Sequence, residues 1–83
     1  MAEQKVGEVF AFYGKIMVAG VRVTAPLSIG DKIRIKGTST NVQQDVASMQ
    51  IDRNPIQKAT PGQEIGLKVI DTVKQGDAVF KID

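Results

Sequence analysis

The chain of 83 residues is 42% apolar and 24% charged, and its 11 Lys and Arg against 9 Asp and Glu give a formal charge of +2. This size predicts one domain, residues 1–83, and this composition excludes a disordered or fibrous protein. Histidine and cysteine are both absent, which excludes disulfides and removes the usual general base and thiol nucleophile, so we expect no enzymatic activity, no cofactor and no metal.

The first quarter of the chain predicts two strands. Residues 5–12 and 15–23 are rich in β-branched and aromatic side chains, which favour strand over helix. We expect Phe10 and Phe12 to lie on one face of the first strand and to fill the core. Gly20, inside the second strand, predicts a bulge or the close approach of another backbone.

Turn residues divide the middle of the chain into short segments. Residues 24–30 are predicted as a connection in which Leu27 and Ile29 plug one end of the fold. A Gly-Asp pair then turns the chain into a cleanly alternating strand at residues 32–36. Residues 42–51 are predicted as a single strand whose apolar phase changes midway, which indicates a bulge.

The last third contains two more strands among strong turn signals. Asn54-Pro55 is predicted to break the sheet, and residues 57–60 to make one helical turn. Pro61-Gly62 has the order of a type II turn. Residues 64–70 and 78–82 are the final strands, and the second of two Gly-Asp pairs precedes the last one as recurring turn chemistry.

This pattern predicts an all-β fold. Six main strands with turn signals at spacings of roughly 8–12 residues are typical of a barrel or sandwich. We expect a small closed antiparallel Greek-key β-barrel of six or seven strands, because closure removes open edges. The chain lacks a secretory leader pattern and a run of about 18 apolar residues, so a cytoplasmic location is expected.

Several short motifs resemble a known family in order and spacing. Residues 18–35 read VAGVRVTAPLSIGDKIRI and are followed by Ser-Met-Gln-Ile at 48–51, Asn-Pro-Ile at 54–56, Ala-Thr-Pro-Gly-Gln at 59–63 and Ile-Gly-Leu at 65–67. The set resembles the second domain of translational GTPases such as elongation factor Tu. It is closer to small stand-alone elongation factor-like proteins, and similar to the C-terminal barrel of U32-type peptidases, which share a Val-Gly-X-Val strand and the GDKIRIKG stretch.

The resemblance implies a function as well as a barrel. In the family this barrel packs on a GTPase domain and helps to hold the aminoacylated end of tRNA. No P-loop of the form GxxxxGK[ST] is present, so the chain is not a GTPase by itself. We therefore expect a stand-alone, non-enzymatic RNA-binding module of translation, with tRNA or a ribosome-associated RNA or protein as partner. The alternative is a protein–protein adaptor that docks on a separate GTPase or enzyme subunit.

Basic side chains form the candidate nucleic-acid site. The predicted members are Lys32, Arg34, Lys36, Arg53 and Lys58. The first three alternate along one strand, roughly 6–7 Å apart on one face, as a stripe that follows phosphates would require. A solvated outer face with nearby carboxylates is the competing interpretation.

Other candidate sites are weaker. Phe10, Phe12 and Tyr13 could stack on bases, but four aromatics in the whole chain favour the core and its rim. The Asp and Glu residues show no metal-ligand spacing. Gly66 permits close approach of a backbone, either for strand packing or for the terminal adenosine that the resemblance implies.

Overall fold

The computed structural model describes residues 3–82, which form β-strands and no helix. No element of this stretch is therefore a helix long and apolar enough to cross a membrane. The strands are β1 (Glu3–Tyr13), β2 (Val18–Val23), β3 (Leu27–Ser28), β4 (Lys32–Lys36), β5 (Asn41–Asp45), β6 (Met49–Ile51), β7 (Asn54–Ile56), β8 (Lys58–Ala59), β9 (Glu64–Lys68) and β10 (Ala78–Ile82). The predicted all-β class is confirmed, and the cytoplasmic location stays a prediction.

Eight strands form one antiparallel sheet in the order β5-β4-β10-β1-β2-β9-β6-β7, and β3 pairs with β8 in a small second sheet. The large sheet has two ends, because no ladder within residues 3–82 joins β5 to β7. The prediction of a closed barrel with six or seven strands is not confirmed: the sheet stays open, and residues 3–82 make ten strands.

The inner face of the sheet carries one apolar core. Along β2, β4 and β9 the core side chains recur at every second position, as the apolar pattern of the sequence predicts, because residues two apart point to the same side of a strand. Fully buried side chains include Val21, Ile33, Ile35 and Leu67. Burying each stabilises the fold by about 1.5–3 kcal/mol.

Two bulges change the direction of side chains along β1. The register shifts between Lys5 and Gly7 against β10, and between Val9 and Ala11 against β2. Val9 therefore points inward and is 2% exposed, while Phe10 points outward and is 36% exposed. The prediction that Phe10 fills the core is wrong, because each extra residue in a strand reverses the faces that follow it.

Three predicted elements differ from the structure. Asn54-Pro55, predicted as a break, lies inside β7, an edge strand where the missing N–H of proline is tolerated. The single strand expected over 42–51 is two strands, β5 and β6, which lie in opposite halves of the sheet. The helical turn expected at 57–60 is instead β8, which pairs with β3. This pairing buries Leu27 against Ala59, both 0% exposed, so the predicted plug forms, and burial of the pair fixes an extended backbone there.

Three turns with one design lead into β4, β9 and β10. Gly30, Gly62 and Gly76 have φ of 94°, 92° and 96°, which L side chains rarely adopt. In each turn the residue after the glycine accepts a hydrogen bond through a side-chain oxygen. The donor is the backbone N–H of the residue three positions before that acceptor, at 2.8 Å. These acceptors are Asp31, Gln63 and Asp77. The predicted turns at both Gly-Asp pairs and at Pro61-Gly62 are confirmed.

Both open ends of the large sheet are protected. The middle residue of β7 is Pro55, which has no N–H to offer to another strand. The edge of β5 lies beside residues 68–70, to which the side chain of Gln44 is hydrogen-bonded. Pairing of an added strand is therefore disfavoured at both edges.

Candidate docking groove on the outer face

A groove of 430 Å³ crosses the outer face of β1, β2, β9 and β6. Its floor is made by Gly20 and Gly66, which are directly opposed in the β2–β9 ladder. Their neighbours along each strand point into the core, so the two glycines face outward. Neither has a side chain, and the groups above them are the Phe10 ring at Gly20 and the side chains of Val18 and Gln50 at Gly66. We call the whole feature the glycine groove; it is lined by Phe10, Tyr13, Ile16, Val18, Gly20, Gln50, Asp52, Arg53, Glu64, Ile65 and Gly66.

One wall of the glycine groove is apolar and exposed. Phe10 is 36% exposed, Tyr13 52% and Ile16 55%. These are three of the four large apolar side chains exposed among residues 3–82, the fourth being Ile70. Large apolar groups gathered at one place, with aromatics among them, are typical of contact surfaces rather than of a solvated face.

The opposite wall is polar and comes from the β6–β7 hairpin. Gln50 lies on β6, and Asp52 and Arg53 form the two-residue turn with φ of 49° and 67°. Positive φ at both turn residues matches the twist of the flanking strands, and it holds these two side chains at the rim. Glu64 contributes a carboxylate, and its ion pair with Arg22 is 3.0 Å long.

The floor depends on glycine for two different reasons. A Cβ added at Gly20 would lie 2.8 Å from the ring of Phe10, so the ring rests on bare backbone there. A Cβ added at Gly66 would meet Val18 and Gln50 at 3.1–3.3 Å. The group close to Gly20 is an aromatic ring and not the predicted second backbone, and the nearby bulge lies in the facing strand β1.

The predicted basic stripe lies on a different part of the outer face. Lys32, Arg34 and Lys36 share the outer face of β4. Glu3, two strands away, bonds Arg34 at 2.6 Å and Lys36 at 3.2 Å. The ammonium of Lys36 also lies 5.7 Å from the ring centre of Phe80. Two of the three cations are thus occupied within the protein.

The structure does not gather all five predicted cations. Arg53 is at the rim of the glycine groove and Lys58 is on β8, while the β4 residues lie in the other half of the sheet. Nucleic-acid binding by these five residues stays a prediction.

Titratable groups give no sign of a reactive centre. Within residues 3–82 no three carboxylates come close enough to hold a metal ion. The one resolved perturbation is at Glu8: a hydrogen bond from Lys5, together with its charge, holds the pKa of this carboxyl below its usual value. Glu8 is fully exposed, so this is a property of a surface ion pair.

Sequence reasoning missed much of the groove. The sequence does not indicate Ile16 or Gln50 as site residues, and the pattern favours the core over an exposed site for Phe10. A signal did exist: Gly20 and Gly66 each sit between inward-pointing apolar residues, so each had to face outward. What the sequence does not contain is the register that places these two glycines opposite each other.

The chain is similar to parts of larger proteins. It is 38% identical over 77 residues to a Methanocaldococcus jannaschii protein named an uncharacterized protease. It is 31% identical over 80 residues to a protein of Porphyromonas gingivalis named a collagenase. These matches cover 92% and 94% of this chain but only 19% and 22% of the relatives. No protein-family profile matches the chain.

Solved structures share the fold. The C-terminal domain of a Geobacillus thermoleovorans protein assigned to the U32 peptidases superposes with a TM-score of 0.90, covering 96% of this chain and 93% of that domain at 19% identity. The selenomethionine form of the same domain gives 0.86, over 92% and 96%. The fold is therefore that of a U32 peptidase C-terminal domain.

These relatives correct the predicted biology. The curated relatives are named as protease and collagenase, not as elongation factors, so the interpretation as an elongation factor-like protein of translation is wrong. The expected likeness to U32-type peptidases is supported, and the likeness to the second domain of elongation factor Tu is not.

Proposed function

We propose that this chain is a non-catalytic accessory domain that docks on the catalytic part of a U32-type peptidase through the glycine groove. The observation that carries the proposal is the unequal coverage of the matches, 92% of this chain against 19% of the M. jannaschii relative. A module that recurs as a small part of larger proteins named as proteases is best understood as serving the rest of those proteins. On this proposal residues 1–83 are one folding unit, and the partner is an enzyme subunit.

Chemistry supports an accessory role. The chain has no His and no Cys, and its described carboxylates form no metal-binding group. Peptide hydrolysis needs an activated nucleophile or a metal-bound water. On this proposal that machinery belongs to the partner.

The choice of face rests on the contrast between two halves of the outer surface. On β4, cations are paired with Glu3 and stacked on Phe80. In the glycine groove, Tyr13 and Ile16 are more than half exposed. Covering apolar surface stabilises a complex by about 25 cal/mol per Å², and self-paired charges contribute less.

A domain exchange tests the proposal. The segment of the M. jannaschii relative that matches this chain is deleted in one variant and replaced by residues 1–83 in another. We expect deletion to lower the thermal stability and peptidase activity of the remaining enzyme, and the replacement to restore both. Purified residues 1–83 should cleave no peptide. A hybrid that behaves like the deletion variant would exclude docking, and cleavage by the isolated chain would exclude a non-catalytic role.

A matched pair of substitutions tests the face. Ile16→Asp places a carboxylate in the glycine groove, and Ile70→Asp makes the same change at an isoleucine that is even more exposed, 70% against 55%, and does not line the groove. In the hybrid, Ile16→Asp should reproduce the deletion, whereas Ile70→Asp should have no effect. Equal effects of the two substitutions would place the interface elsewhere.

A further inference from the structure

Within the proposed docking function, on which this inference rests, we infer that the Asp52–Arg53 turn is the specificity-determining element of the glycine groove. Its carboxylate and its guanidinium pair with a basic and an acidic group of the enzyme subunit, and they thereby fix the orientation in which the domain docks. The backbone conformation, the anchoring and the charge of this turn all lead to that role.

The residues with a left-handed backbone fall into two groups within residues 3–82. Three are the glycines of the turns that lead into β4, β9 and β10, and none of these lines the glycine groove. The other three are Met17, Asp52 and Arg53, with φ of 53°, 49° and 67°. Asp52 and Arg53 line the groove, and Met17 lies between two lining residues, Ile16 and Val18. Left-handed residues that carry a side chain are therefore found only at the groove.

Glycine would serve the fold better at position 53. A two-residue hairpin turn with positive φ at both positions favours Asn-Gly, because a side chain on a left-handed residue crowds its own backbone. Asp52 tolerates this conformation better than Arg53, since a short polar side chain can bond locally. Backbone strain of this kind clusters where side chains serve binding or catalysis. The strained arginine therefore indicates that its guanidinium is needed at the rim.

The β6–β7 hairpin holds this turn in a defined place. Ile51 pairs with Asn54 across the turn, and Gln50 pairs with Pro55 on one side and with Gly66 of the groove floor on the other. Ile51 also packs against the core. The two charges are thus presented from paired strands and not from a long loop, so that little backbone order has to be gained when a partner binds.

The charges of this turn lack partners, unlike the others at the rim. Arg22 and Glu64 are paired with each other at 3.0 Å, whereas Asp52 and Arg53 form no ion pair among residues 3–82. One free carboxylate and one free guanidinium add no net attraction for a strongly charged partner. They match only a surface that carries both complementary groups in the right order, so they select orientation more than they set affinity.

Reversal of the two charges tests this role in the hybrid enzyme of the domain exchange. Asp52→Arg/Arg53→Asp keeps the net charge and puts each charge at the other's position. We expect this variant to lose at least about tenfold of the restored peptidase activity, and the thermal stability of the hybrid to fall toward that of the deletion variant. Lys32→Asp/Asp45→Lys is the matched control. It reverses a cross-strand pair of β4 and β5 that does not line the groove, and it should leave both quantities unchanged.

A second variant separates docking from folding. Asp52→Asn/Arg53→Gly builds the sequence that the hairpin turn favours, so we expect the isolated chain to unfold at a higher urea concentration. The hybrid that carries the same change should nevertheless lose activity, because the free charges are gone. A purely structural role of the turn would move the stability of the chain and the activity of the hybrid in the same direction.

Each contrary outcome has a distinct meaning. A hybrid that is indifferent to the charge reversal would overturn this inference and leave docking supported. Equal losses in the control variant, or an Asn-Gly variant that unfolds at a lower urea concentration than the natural chain, would overturn it as well. A hybrid that behaves like the deletion variant without any substitution would exclude docking itself, and this inference with it.

Discussion

Gln44 and Ile70 are joined where a strand pairing would have closed the sheet. The Gln44 side-chain oxygen accepts the backbone N–H of Ile70 at 2.9 Å, and its amide nitrogen donates to the C=O of Lys68 at 2.8 Å. One primary amide thus satisfies a donor and an acceptor of the neighbouring backbone, as a peptide group in a ladder would. The gap between β5 and the end of β9 is bridged by a side chain.

This bridge predicts a local loss of stability when it is removed. Gln44→Met keeps the length of the side chain but leaves the Ile70 N–H and the Lys68 C=O without protein partners, and because both groups are exposed to water this should cost about 0.5–1.5 kcal/mol in the free energy of unfolding. Chemical denaturation measures the loss, and amide hydrogen exchange should accelerate at Ile70. Gln4→Met, an exposed change on β1, is the control. Unchanged exchange at Ile70 would contradict the role given to Gln44.

Phe10 and Gly20 should be energetically coupled. Gly20→Ala puts a Cβ 2.8 Å from the Phe10 ring, so the ring has to leave its place on the floor of the groove. We expect Gly20→Ala to destabilise the protein in the natural background and to cost less when Phe10→Ala has already removed the ring. A double-mutant cycle by urea denaturation should give a coupling of about 0.5–3 kcal/mol. Additive effects would mean that the ring does not depend on Gly20.

Gly37 and Gly76 should respond differently to alanine. A Cβ at Gly37 would lie 1.8 Å from the Asp77 carboxylate, which is buried and accepts the Lys74 N–H at 2.8 Å. Gly76 has φ of 96° with open space around it, so its alanine variant should cost only about 1–2 kcal/mol of backbone strain. Gly37→Ala should cost more, and Asp77→Ala should relieve part of that cost. Thermal denaturation of the three single variants and of the Gly37→Ala/Asp77→Ala double variant decides this.

The Lys5–Glu8 pair predicts a measurable titration. The hydrogen bond from Lys5, then its charge and that of Arg22, lower the pKa of Glu8, against a small opposing effect of desolvation. Lys5→Met should therefore raise the pKa of Glu8, as followed by NMR of its side-chain carboxyl. A carboxyl with a lowered pKa stabilises the folded state above its unfolded pKa, and this stabilisation is lost as the pH falls through the folded pKa.

The stability difference between the natural chain and Lys5→Met should accordingly be present at neutral pH and vanish in acid. Lys58→Met, which removes a cation from β8, serves as the control and should leave the pKa of Glu8 unchanged. An unchanged titration of Glu8 in Lys5→Met would show that the pair does not persist in solution.

Local chemistry made much of the fold predictable. The alternation of Ile33 and Ile35, and the turns at Gly30 and Gly62, depend on neighbours in sequence, and the structure has them as predicted. The bulge at Phe10 depends on how β1 pairs with β2. Pairing register is a non-local property, so the outward direction of that ring could not be predicted from the alternation within β1.

The candidate site was less predictable for the same reason. Charged residues such as Lys36 are conspicuous in a sequence, but their ion-pair partners are not, and Glu3 lies 33 positions away. The glycine groove joins residues from four strands, and its floor exists only because Gly20 and Gly66 fall opposite each other. No sequence window contains both.

The place of β1 in the sheet has a consequence for synthesis in the cell. β1 lies between β2 and β10, and Glu3 is paired with Ile82. During translation the backbone groups along one edge of β1 therefore stay unpaired until residues 78–82 have left the ribosome. The sheet can be completed only after residues 78–82 have been made, and chains that end before these residues would expose the β1 edge to aggregation.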